Sequence, residues 1–129
     1  MLRLHPSGHP RFFLGTDSAP HPRHSKENAA SCAGVFTSPY VLPYLATILE
    51  SFGALHQLES FACQNGRQFY NITTTPSSSS RKMITLQKVN ANNSQIKVQN
   101  EFSYTDSEGN QRGVVPFWSG KPLNWIISS

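Results

Sequence analysis

Asp17 and His21 are the residues of this chain whose types and spacing could do chemistry. Asp17 follows the apolar run Phe12-Phe13-Leu14-Gly15, and a carboxylate at the end of a buried strand is a candidate metal ligand or proton carrier. His21 would lie on the loop that follows, as a candidate substrate contact. The same residues have a plain structural reading, because an aspartate directly after a strand commonly bonds backbone amides as a turn or helix cap. Residue type alone leaves both readings open.

The elements that must position these groups can be read from pattern. Residues 11–17, between Pro10 and Pro20, predict a strand covered on both faces, as in a parallel sheet with helices outside. Residues 18–34, rich in Pro, Ser, His and Ala, predict a long loop over the strand end. A helix follows, capped by Ser38, with Pro39 in its first turn and Pro43 delaying or kinking its start. Val41, Leu42, Leu45, Ile48, Leu49 and Phe52 form its inner face until Gly53. A second helix runs from about Leu55 to Cys63, with Leu55, Leu58, Phe61 and Ala62 inward, and Asn65-Gly66 ends it.

Residues 73–112 read as a variable polar insertion: a low-complexity Thr/Ser tract over 73–80, then short exposed-face strands at 82–89, 95–99 and 101–105, and a turn at 106–110. Residues 113–129 predict a closing hairpin of Val114 to Trp118 and Leu123 to Ile127 through Gly120-Lys121-Pro122, with Trp118 and Trp125 as packing residues. Met1-Leu2-Arg3-Leu4 reads as the last turn of a preceding helix, stopped by Gly8 and Pro10.

Composition excludes several classes of function. The chain of 129 residues is 37% hydrophobic with eight Phe and two Trp, enough to supply a core. Its formal net charge of +4 is scattered, with no Lys/Arg run dense enough to track phosphates, so no nucleic-acid partner is expected. No apolar stretch approaches the roughly 18 residues of a membrane span, so no membrane partner is expected and a cytoplasmic location is. Cys32 and Cys63 have neither the spacing nor the histidines of a zinc site and read as free buried thiols.

The stretch Phe12-Phe13-Leu14-Gly15-Thr16-Asp17-Ser18-Ala19-Pro20-His21, followed by Ser31-Cys32-Ala33-Gly34-Val35-Phe36, resembles the last active-site segment of the dihydroorotases, amidohydrolases of pyrimidine synthesis. Leu45-Ala46-Thr47-Ile48-Leu49-Glu50, Gly53-Ala54-Leu55, Asn65-Gly66-Arg67-Gln68-Phe69-Tyr70 and, near the end, Val114-Val115-Pro116-Phe117-Trp118-Ser119-Gly120 with Leu123-Asn124-Trp125 resemble the later segments of single-domain, fungal-like members. The family usually has proline where Arg67 stands and glycine where Asn71 stands; asparagine tolerates a left-handed backbone almost as well as glycine.

The resemblance implies an α/β fold class: the C-terminal part of a (β/α)8 TIM-type barrel of a metal-dependent amidohydrolase, with its last strand, the following helices and a C-terminal β extension. Such barrels need about 250 residues, so the chain reads as a fragment. It implies interconversion of L-dihydroorotate and N-carbamoyl-L-aspartate at a two-zinc site, a small-molecule substrate, and a homodimer as one form of the complete enzyme. Asp17 would bind one zinc and carry the proton, while His21 and the backbone of Ala33 would hold the substrate's free carboxylate.

The family's remaining metal ligands come from earlier strands. The 129-residue chain alone is therefore expected to hold no zinc pair and to be inactive. Two other readings stand beside this one: a non-catalytic remnant that docks through the stripe Val41-Leu45-Ile48-Phe52, and a hydantoinase- or allantoinase-like relative.

Overall fold

In a computed structural model, residues 8–72, 83–90 and 96–128 are described. In chain order they form helix α1 (Arg23–Lys26), a 3-10 turn (Ser38–Tyr40), helix α2 (Val41–Ser51), a second 3-10 turn (Leu55–Gln57), a π-helical turn (Ser60–Gln64) and helix α3 (Asn65–Phe69). Strands β1 (Thr85–Lys88), β2 (Phe102–Thr105), β3 (Gln111–Val114) and β4 (Trp125–Ser128) follow. Two compact units are built from interleaved stretches. Unit 1 takes the described residues within Met1–Gly15, Leu42–Lys88 and Trp125–Ser129; unit 2 takes those within Thr16–Val41 and Val89–Asn124.

Unit 1 is built around α2. Pro43 falls in the first turn, where amides have no intrahelical acceptor, so it costs no helix bond. Pro43, Tyr44, Ala46 and Leu49 are the buried residues of α2. The expected stripe is therefore corrected: of its members only Leu49 is buried, and Phe52 is 66% exposed beyond the helix end. VLPYLATIL is apolar almost throughout, so periodicity could not single out one face.

Gly53, at φ 68°, ends α2; its amide donates to Glu50 O at 3.0 Å while Ala54 N donates to Leu49 O at 2.8 Å, a Schellman closure. The second helical stretch does not stop at Asn65-Gly66 as expected. It continues through α3 and closes the same way at Asn71, at φ 51°, with Asn71 N on Gln68 O at 3.1 Å and Ile72 N on Arg67 O at 2.9 Å. Asn65 and Gly66 serve packing instead. Asn65 is buried and donates its side-chain amide to Phe12 O at 2.9 Å, and a Cβ at Gly66 would lie 3.2 Å from the Phe13 ring.

The run 12–15 is accordingly pinned to this helical stretch: Leu14 N donates to Phe61 O at 2.9 Å, and the Phe13 ring stands 5.1 Å from Phe69 and 5.7 Å from Tyr70. The predicted strand over 11–17 is not formed among the described residues. A parallel strand exists only through neighbouring strands, and the backbone here finds a helix-side carbonyl instead. Unit 1 is completed by β1 and β4, antiparallel, with Thr85 opposite Ser128 and Lys88 opposite Trp125. Glu50 of α2 accepts from Lys88 Nζ and from Trp125 Nε1, and these bonds, that of Lys88 foremost, hold its carboxyl below the ordinary glutamate range.

In unit 2, β2 and β3 form an antiparallel hairpin with Phe102 opposite Val114. Asp106 makes its turn by accepting from Glu108 N at 3.0 Å and Asn110 N at 2.8 Å, while Arg112 Nε donates to its other oxygen at 2.9 Å. The closing hairpin is thus corrected: Val114 to Trp118 is not a strand beyond Val114, and β4 pairs with β1. Pro116 has no amide to donate, and Trp118 at φ 57° turns the chain. Val98, 1% exposed, and Leu123, 5% exposed, fill the core where Val98 N donates to Lys121 O and Leu123 N to Ile96 O.

Both cysteines are free but exposed, not buried as expected; neither residue's position faces a core. Among the described residues no helix is long and apolar enough to cross a membrane. The expectations for 1–4 and 73–80 lie outside the described residues.

Candidate functional site

The candidate residues Asp17, His21 and Ala33 all belong to unit 2. Two segments of that unit run side by side. Ser18 and Val35 form a parallel bridge, and Ala19 N donates to Val35 O at 3.0 Å. The Ser18 hydroxyl accepts from Thr37 N and Ser38 N, each at 3.0 Å. It therefore caps the turn leading into α2, the role that the sequence assigned to Ser38.

Gly34 lets the segments meet. It stands at φ +107°, and a Cβ there would lie 2.4 Å from Ala19 Cβ and 3.7 Å from His21 Nε2. The His21 imidazole thus lies beside the backbone that follows Ala33. Asp17 is exposed, immediately precedes the bridge and adopts φ 42°, a left-handed conformation that an aspartate holds at some cost. Among the described residues no hydrogen bond engages its carboxylate as a turn cap.

The loop expected over 18–34 contains a short helix, α1, inside it. Arg23 pairs with Glu27 at 3.5 Å and Glu101 at 3.3 Å, both solvent-facing. Lys26, half-buried, folds its ammonium back onto the loop's second limb, reaching Cys32 O at 2.6 Å and Gly34 O at 2.7 Å.

No family model matches the chain. Curated relatives do. The dihydroorotase of Alkalilimnicola ehrlichii is 40% identical over 121 residues, 94% of this chain and 31% of its own length. That of Erythrobacter litoralis is 42% identical over 121 residues with the same coverage. Among solved structures, the dihydroorotase of Saccharomyces cerevisiae in complex with 5-fluoroorotic acid matches 95% of this chain with a TM-score of 0.68 and 29% identity. Over this stretch the chain is similar to dihydroorotases.

The dihydroorotase of Campylobacter jejuni matches equally, with a TM-score of 0.69 and 28% identity, and the chain covers 31% of either dihydroorotase structure. The chain thus spans about a third of the length of these relatives. The resemblance read from 12–21 and 31–36 holds across nearly the whole chain.

Asp17 offers an oxygen donor of a kind that zinc accepts, but among the described residues no group of three or more His, Cys, Asp or Glu converges. One carboxylate does not make a catalytic zinc site, which generally takes three protein ligands. The described residues alone do not fit the metal pair.

Sequence reasoning assigned no role to Ser18, Lys26 or Gly34. Gly34 carried a signal, since a lone glycine beside Ala33 marks a close approach or a positive φ. Lys26 carried none; its two bonds depend on the loop folding back.

Proposed function

We propose that this chain supplies the Asp17, His21 and Ala33 portion of a dihydroorotase site, acting in a cytoplasmic enzyme on a cyclic amide that carries a free carboxylate. The observation that carries the reading is the bridged pair of segments, with Ser18 on Val35 and Ala19 on Val35 O, which sets the His21 imidazole beside Gly34 next to Ala33. An imidazole and a backbone amide on two adjoining segments suit a carboxylate, which accepts hydrogen bonds through both oxygens.

Asp17 then acts on the scissile side. Hydrolysis of dihydroorotate adds water to the ring carbonyl and breaks the C–N bond, so a proton must leave the water and reach the departing nitrogen. Asp17 takes that proton and delivers it. Its position next to Ser18, which is bonded to the limb bearing Ala33, links proton transfer and carboxylate binding through rigid backbone. The (β/α)8 setting, in which Asp17 ends the last strand, belongs to the complete fold and to this proposal.

The test is a graft: this chain replaces the matching third of the Alkalilimnicola ehrlichii dihydroorotase, and hydrolysis of dihydroorotate is measured. Turnover by the graft, lost in Asp17→Asn, is the expected outcome. A graft that melts cooperatively and retains zinc yet shows no turnover would refute the reading.

A second reading rests on exposed aromatics in unit 1: Phe52 and Tyr70 at 66%, Phe69 at 62% and Phe12 at 56%. Such a surface suits an interaction fragment that docks on another chain. Sedimentation of the isolated chain decides it: a monomer at all concentrations removes this reading, and self-association sustains it.

A further inference from the structure

We propose that Lys26 is a positioning residue that sets the Ala33 amide for an anionic ligand; the ligand's identity rests on the functional reading above, the positioning does not. The Lys26 ammonium donates to the carbonyls on either side of Ala33, Cys32 O at 2.6 Å and Gly34 O at 2.7 Å. A trans peptide places its N–H opposite its C=O, so drawing the Cys32 carbonyl onto the ammonium turns the Ala33 N–H to the other side. Among the described residues that amide has no backbone acceptor, which leaves it available to a ligand.

Three further observations converge on the same limb. Cys32 N donates to Ser25 O at 3.2 Å, anchoring the limb to α1 beside Lys26. Gly34, at φ +107°, has no room for a Cβ, so the backbone between Ala33 and Val35 lies close against Ala19 and near His21 Nε2. Lys26 is half-buried, and its ammonium sits against two carbonyls rather than a carboxylate, so its positive charge is not neutralised by an acid within the loop. That charge polarises the Cys32–Ala33 peptide and strengthens its N–H as a donor. A dicarboxylate such as N-carbamoyl-L-aspartate is the chemistry that gains most from both effects.

The experiment uses the 129-residue chain, isotope-labelled for amide spectroscopy. Without ligand, Lys26→Met is expected to shift the Ala33 and Val35 amide resonances and to leave Ala46, in the core of unit 1, where it was; Lys26→Arg restores the original positions. With ligand, Lys26→Met is expected to weaken binding of N-carbamoyl-L-aspartate by roughly tenfold, the loss of about one charge-assisted hydrogen bond, and to leave binding of its neutral diamide unchanged.

Lys26→Gln, which keeps a donor without the charge, falls between and serves if Lys26→Met does not fold. Unmoved Ala33 and Val35 resonances in a folded Lys26→Met chain would overturn the proposal, as would equal losses for dianion and diamide. If wild-type Ala33 and His21 ignore N-carbamoyl-L-aspartate in the isolated chain, the ligand comparison is made in the graft, whose lack of binding would refute the functional reading, and the ligand-free comparison still decides the role of Lys26.

Discussion

Asp17 and Asn71 both hold a left-handed backbone, at φ 42° and 51°, and they differ in what holds them there. At Asn71 the conformation completes a Schellman closure, with two backbone bonds satisfying the last carbonyls of the helix. Its cost is offset on the spot. At Asp17 no such closure surrounds the residue; it immediately precedes the bridge of Ser18 to Val35. Local strain that the surroundings impose on a chemically capable side chain is the pattern expected of a functional position. The same backbone angle therefore closes a helix in one unit and stands outside any helix end in the other.

The largest effect should come from separating charge from conformation. In the grafted enzyme, Asp17→Asn keeps a residue that tolerates the left-handed backbone and removes the proton carrier, so turnover should fall by roughly a hundredfold or more with the melting temperature preserved. Full activity in that variant would place Asp17 in the same class as Asn71. Next, Gly34→Ala puts a methyl 2.4 Å from Ala19 Cβ at a φ that L residues avoid, and should cost about 2–3 kcal/mol by urea unfolding. Pairing it with Ala19→Gly should recover the steric part only.

Asn65→Ala strips the buried donor from Phe12 O and should cost about 1–3 kcal/mol in the same assay. A smaller effect belongs to Asp106, whose carboxyl is lowered from the ordinary 3.8 to about 2, chiefly by Arg112 and then by the Asn110 amide. A depressed carboxyl stabilises the fold fully above its ordinary value and loses that contribution as pH falls through the folded one. Amide spectra of the β2–β3 turn should therefore hold down to about pH 4 and change between there and pH 2. Smallest is Asn71→Gly, which should stabilise by less than about 1 kcal/mol and leave turnover of the graft untouched.

Legibility followed how local the cause is. Gly53 as a helix stop and Asn71 as a left-handed substitute for glycine could be read directly, because both act through their own backbone. Asn65-Gly66 misled for the opposite reason: its turn propensity is local, but the buried amide bond to Phe12 and the approach of Phe13 are tertiary, and they win. The predicted strand over 11–17 needs partners that periodicity cannot supply. At the candidate site, the motif singled out Asp17, His21 and Ala33 as candidates, while the Ser18 cap and the two Lys26 bonds appear only once residues 32–38 fold back on 18–26.

The interleaving of the two units sets a timetable for synthesis. Trp125, whose indole bonds Glu50, and the rest of β4 belong with the run that includes Phe12, and they leave the ribosome more than a hundred residues after it. Until then β1 has an unpaired edge and α2 lacks one of the partners of Glu50. The nascent chain must carry both through translation, and that interval is when a chaperone would be most needed.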